Sequence, residues 1–174
     1  MEFSLTQDFP AGLDRLWAAF GQPDYPQRKY LALGATAVRV QRFHITARAI
    51  EVDLERDVLV DKSRLPLWTR MLVGNQQTLR HRTAWRRVGP SQVGAELDIS
   101  PSGLPVSAHG VGTIIEPVPG TTRMVLTWRV HSMLGERVER LFVDQIRAAL
   151  DDDHAFTLEY LRGIEPDSSH VSST

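Results

Sequence analysis

The sequence predicts an α+β fold: a curved antiparallel sheet of about seven strands wrapped on one long C-terminal helix, with two short helices after the first strand. Three observations carry this expectation. Over residues 36–131 apolar and polar positions alternate at a period of two, in runs separated by turn signals. Over 134–161 the period is that of a helix, with no proline and no glycine after Gly135. Between the opening residues and Thr36 lie two brief apolar clusters at helical spacing, each closed by a glycine.

In chain order, Phe3, Leu5 and Gln7 alternate with Glu2, Ser4 and Thr6, a short strand that ends before Pro10. Leu13, Leu16, Trp17 and Phe20 then share a helical face, and Gly21 follows. A second helix is expected over 25–33, with Tyr30, Leu31 and Leu33 as its apolar side and Gly34 as its stop. Strands are expected at 37–46, 48–59, 77–88, 93–99, 106–118 and 122–131. The breaks between the later ones, GPS at Gly89, PSGLP at Gly103 and PGTT at Gly120, are too short for parallel crossovers. An antiparallel meander follows.

The interval DKSRLPLWTRMLVGN, residues 61–75, is too apolar for an ordinary solvated loop. It either tucks into the core or forms a short helical lid, where Trp68 and Met71 would serve against a variable apolar ligand. The long helix carries Val138, Leu141, Phe142, Ile146, Ala149, Phe156 and Tyr160 in one arc, the face that must meet the sheet. The same arc contains Gln145, Asp152 and Asp153. A carboxylate buried unpaired costs several kcal/mol, so each must meet a cation, donors, a ligand or water in a cavity.

Residues 79–88, LRHRTAWRRV, raise the possibility of a nucleic-acid groove, because guanidinium groups neutralise phosphates and aromatic rings stack on bases. Two arguments weigh against it. The chain has 20 Lys plus Arg against 21 Asp plus Glu, a net charge of -1, where a nucleic-acid binder shows a basic excess. In a strand, moreover, Arg80, Arg82 and Arg86 share the solvent face while Leu79, His81, Thr83 and Trp85 share the sheltered one. By the same alternation Met124, Leu126, Trp128 and Val130 face the helix from the last strand. In the strand 106–118 the expected inward set is Ser107, His109, Val111, Thr113 and Ile115, with the glycines outside, where they permit bending.

At 174 residues the chain suits one domain burying roughly 70% of the surface its unfolded form exposes. The expected organisation is a domain over 1–163 and a disordered polar tail over 164–174. The absence of cysteine excludes disulfides, thiolate metal sites and cysteine nucleophiles. No secretory signal is legible and no run approaches the roughly 18 apolar residues of a membrane helix, so a cytoplasmic protein without a transmembrane segment is expected. His44, His81 and His109 show no metal-ligand spacing, and no GxSxG elbow, phosphate loop or cofactor motif occurs. Neither a metal nor a cofactor is expected.

One long helix across a curved antiparallel sheet, with two short helices after the first strand, is the helix-grip arrangement. Over residues 2–162 the chain resembles the START-like, or SRPBCC, superfamily, which also contains polyketide cyclases, pollen-allergen proteins and lipid-transfer domains. Gly74, Trp85, Pro105, Gly110, Gly112, Gly135, Glu139 and the 156–161 end are similar to an uncharacterised bacterial branch of it, a domain of unknown function. The resemblance implies a deep, largely apolar cavity between the concave sheet and the long helix. Its expected contacts are Trp68, Met71, His81, Trp85, His109, Met124, Leu126, Trp128, Gln145, Asp152, Asp153 and Phe156.

Three functions fit this expectation. The first is a binding module, monomeric or homodimeric, for an apolar or amphipathic small molecule such as a lipid, an isoprenoid or a polyketide. The second is a cofactor-independent cyclase or dehydratase, as the resemblance implies, with His81, His109 or a raised-pKa Asp153 as general acid or base. The third is a partner-binding regulatory module that uses the outer row Arg80, Arg82 and Arg86.

Overall fold

The computed structural model describes residues 1–64, 70 and 74–163. The chain opens with β1 (Glu2–Phe9), α1 (Leu13–Phe20) and α2 (Tyr25–Ala32). There follow β2 (Ala37–Ile45), β3 (Ala49–Leu59), a single 3-10 turn (Lys62–Arg64), β4 (Gln76–Gly89), β5 (Gln92–Pro101), β6 (Val106–Val118) and β7 (Thr121–Ser132), and the chain closes with α3 (Glu136–Gly163). The expected strands and helices are all present, with ends shifted by one or two residues. The lid-like interval and the polar tail fall largely outside the described residues, and with them Trp68 and Met71.

The sheet has seven strands in the order β1-β7-β6-β5-β4-β3-β2, and every pairing is antiparallel. The meander from β2 to β7 leaves one free side of β7, and β1 occupies it, with Glu2 opposite Arg129. Period-two patterning separates the two faces. On β3, Ile50, Val52, Leu54 and Arg56 are buried, while Glu51, Asp53, Glu55 and Asp57 are half-exposed on the outer face. Those carboxylates meet the arginine row of β4, with Arg80 at 3.1 Å from Glu55, Arg82 at 3.7 Å from Asp53 and Arg86 at 3.0 Å from Glu51. The outer arginines are thus held in cross-strand pairs.

The buried positions of α3 are Val138, Val143, Ile146, Leu150, Thr157 and Leu161, a stripe at helical spacing that faces the concave sheet. Each large apolar side chain taken from water contributes about 1.5–3 kcal/mol, so the stripe seats the helix. Entry into α3 requires Gly135, whose φ of 94° lies in the left-handed region. Glu139 then accepts from the Ser132 backbone N–H at 3.0 Å and fastens the first turn of α3 to the end of β7.

Two orientations differ from expectation. On β6 the inward set is Val106, Ala108, Gly110, Gly112 and Ile114, and His109 lies on the outer face, bonded through Nδ1 to Asp98 at 2.7 Å. The reason is steric. A Cβ on Gly110 would lie 2.8 Å from the Trp128 ring, and one on Gly112 would run into the Val125 carbonyl of β7. The glycines are inside because Trp128 and the neighbouring backbone occupy the space a side chain would need. On α2, Leu31 is 46% exposed, and the inward side is formed by Tyr25, Pro26, Lys29, Tyr30 and Leu33.

Candidate functional site

Between the concave face and α3 lies a cavity of ≈ 130 Å³. Its apolar walls come from Leu54, Trp85, Leu97, Leu126 and Trp128 of the sheet and from Phe142, Ile146 and Ala149 of α3. Phe20 of α1 closes one side, its ring stacked on Trp85 at 5.1 Å between centroids. Strand alternation puts every sheet member of this set on one face, and the arc of α3 supplies the opposite wall.

One wall is polar. Arg56, at the inward parity of β3, is 8% exposed, and its Nε–H donates to His81 Nε2 at 2.9 Å. Because that nitrogen accepts, it carries no proton. The imidazole is therefore neutral with its hydrogen on Nδ1, which lies 3.3 Å from the Tyr30 hydroxyl. Burial, then the Arg56 and Lys29 charges, hold the His81 pKa well below 6.5, in agreement with a neutral ring. The Arg56 guanidinium also lies over the Tyr30 ring, 4.6 Å from its centroid.

Beside this group Lys29 of α2 donates to Asp153 of α3 at 3.1 Å. Burial alone would depress the ammonium. Asp153, with Tyr30 and Tyr25, outweighs it and raises the Lys29 pKa above its ordinary value. Tyr25 bonds to Thr157 Oγ1 at 2.8 Å, and burial pushes its phenol pKa upward. Across the cavity Trp128 is fully buried, and its indole N–H has no acceptor among the described residues. An orphaned buried donor is costly, and this one is covered by its neighbours rather than open to the cavity.

Of the residues expected here, His81, Trp85, Met124, Leu126, Trp128, Gln145 and Asp153 line the cavity. Gln145 is on its exposed rim. Phe156 is not in the wall but packs on Tyr25, with ring centroids 5.9 Å apart. His109 is outside for the steric reason given above. Asp152 is exposed, because one residue along a helix turns the side chain about 100° away from Asp153. The expected set lacks Arg56, Lys29 and Tyr30. Alternation alone points to Arg56, since it continues the apolar parity Ile50, Val52, Leu54.

Among the described residues, Glu96, Asp98 and His109 are grouped so that their ligating atoms lie within 4.8 Å of one another on the outer face. The group is exposed, His109 is bonded to Asp98, and Glu96 has Arg86 at 3.6 Å.

The fold is shared with solved structures at low sequence identity. TTHA0849 from Thermus thermophilus superposes with a TM-score of 0.61 at 12% identity, over 95% of this chain and 100% of that one. The Zhui aromatase/cyclase from Streptomyces sp. R1128 does so at 0.53 and 12%, over 94% and 92%. Ara h 8.0201 gives 0.56 and 10%, over 91% and 98%. These likenesses show a shared helix-grip fold. No curated protein matches the chain in sequence. In sequence it is residues 4–161, β1 through the buried Leu161 of α3, that match a family model, and the chain belongs to the family described as protein of unknown function, DUF2505.

Proposed function

We propose that the protein encloses a small apolar or amphipathic molecule between its sheet and α3. The observation that carries this reading is the cavity itself, apolar on most of its wall and furnished on one side with Arg56, His81, Tyr30, Lys29 and Asp153. Apolar walls with a few convergent polar groups are the signature of a small-molecule site. Size sharpens the reading. A cavity of about 150 Å³ accommodates benzene, so ≈ 130 Å³ favours a ligand built on one ring or a short branched chain. A long lipid, an isoprenoid or a multi-ring polyketide exceeds that volume. The low-identity neighbours include an aromatase/cyclase by name, which supports a ligand-enclosing use of this fold without specifying a ligand.

Storage or carriage is favoured over turnover. Both His81 nitrogens are engaged, by Arg56 and Tyr30, and Asp153 is held by Lys29, so neither is poised to exchange a proton with a ligand. The outer arginines are each paired with a carboxylate of β3, which weighs against that row as a partner surface.

Native mass spectrometry of freshly purified protein, followed by organic extraction, tests the proposal. A stoichiometric adduct in the wild type that is lost in Ala149→Phe, whose ring would fill the cavity, supports it. Protein that emerges bare and takes up none of a panel of single-ring and short-chain compounds rejects it.

A further inference from the structure

We infer that the ligand of this cavity is a monoanion, a compact apolar carboxylate whose head group sits on the guanidinium of Arg56. The inference rests on the cavity-binding reading above and specifies its ligand. It begins from an inversion of the usual order. Exposed Arg39, Arg42, Arg80 and Arg86 on the outer face have carboxylates at 2.7, 2.8, 3.1 and 3.0 Å, where water would have solvated them in any case. Arg56, the buried one, has no carboxylate within ion-pairing distance among the described residues. Its Nε is spent on His81, and its two Nη groups make no hydrogen bond there, although Arg56 lines the cavity. His81 and the Tyr30 ring offset part of the cost of burying this guanidinium, and an anion accepting from its Nη groups would supply the ion pair it lacks.

The charges facing the cavity set the valence of that anion. Lys29 and Asp153 pair with each other, and His81 is neutral because its Nε2 accepts from Arg56. Asp98 and His154 also border the space, but Asp98 is bonded to His109 on the outer face and His154 Nε2 lies 2.9 Å from the Asp8 carbonyl. Two cations less one carboxylate leave a net +1 at the polar wall. A monoanion matches it, whereas a phosphate dianion would leave a surplus charge in an apolar enclosure.

Geometry selects the carboxylate. A guanidinium presents parallel donors that fit its two oxygens, and this one is held flat by the Tyr30 ring and by His81. His81 Nδ1–H donates to the Tyr30 oxygen, which leaves the phenolic proton free as a further donor at the same place. The rest of the ligand meets Leu54, Trp85 and Leu126 and must be apolar.

The test compares benzoate with benzamide, two probes of nearly the same shape and different charge, by NMR titration and calorimetry on the whole chain. Wild type is expected to bind benzoate about tenfold to a hundredfold more tightly, the usual worth of a charge-assisted contact. Arg56→Met should abolish that preference while retaining benzamide. A second variant, Asp153→Asn, raises the polar wall from +1 to +2 and should tighten benzoate several-fold whether or not Arg56→Met folds. Equal affinities in wild type, or a benzoate preference that survives Arg56→Met, overturn the inference and leave the cavity-binding reading standing. Failure to bind benzoate, benzamide or the uncharged probe toluene removes both.

Discussion

His81 is 6% exposed, bonded to Arg56 and Tyr30 and subject to the Arg56 and Lys29 charges, so its ring is held neutral in the folded protein. The unfolded chain takes up that proton near pH 6.5, and the folded one only at a lower pH. Between the two values the unfolded state binds more protons, and stability falls as the pH drops below 6.5. The slope from one group is at most about 1.4 kcal/mol per pH unit. Urea unfolding at pH 7.5 and 5.5 should therefore show a larger acid loss in wild type than in His81→Gln. Equal losses would reject the neutral ring. Gly110→Ala is expected to cost about 1–3 kcal/mol in the same assay, because its Cβ would press a fully buried Trp128. His81 and Trp85 are legible in the sequence as inward residues because their neighbours Arg80, Arg82 and Arg86 are unambiguous solvent positions. His109 is not, because its strand alternates between small residues and glycines, so hydrophobic period has nothing to act on there. Only the bulk of Trp128 on the next strand decides which face it takes.

At the level of elements, α2 and α3 are joined across the cavity by Lys29 with Asp153 and by Tyr25 with Thr157. Lys29 is 14% exposed and Asp153 30%, so the pair is partly hydrated and its worth is less than that of a fully buried bridge. A double-mutant cycle of Lys29→Met and Asp153→Asn should return a coupling of about 1–2 kcal/mol. A coupling near zero would show that α2 is seated by its aromatic contacts alone. The side of α2 that faces inward is not readable in the sequence. Only Tyr25 and Pro26 of its eight residues are buried, and the lysine that reaches the cavity looks like a solvated residue until Asp153 is placed opposite it. The long helix is readable because its stripe runs through many turns. The carboxylate in that stripe foretells a partner without naming Lys29.

Over the whole molecule, the order of strands follows from short turns, and the position of β1 follows from the resemblance rather than from any local signal. The concave and convex faces differ in kind. The convex face carries crossed ion pairs, each worth about 0–1 kcal/mol when this exposed, and the concave face carries the aromatic and apolar wall. Separation of this sort is what alternation can specify over long strands. A cavity is not, because it is a deficit of volume between elements that no single stretch encodes.

The partner of β1 has a consequence for the nascent chain. Glu2 pairs with Arg129, so the first strand emerges with nothing to bind until β7 has been made. At roughly 5–20 residues per second, that interval is about 6–25 s of translation. During it, Phe3, Leu5 and Phe9 present an apolar edge to whatever is near, and the meander β2 to β6 can assemble without them. Ribosome-stalled chains ending before Thr121 should thus leave residues 2–9 open to limited proteolysis, and chains with β7 clear of the exit tunnel should protect them. The last hydrogen bonds of the sheet would then belong to the first strand synthesised.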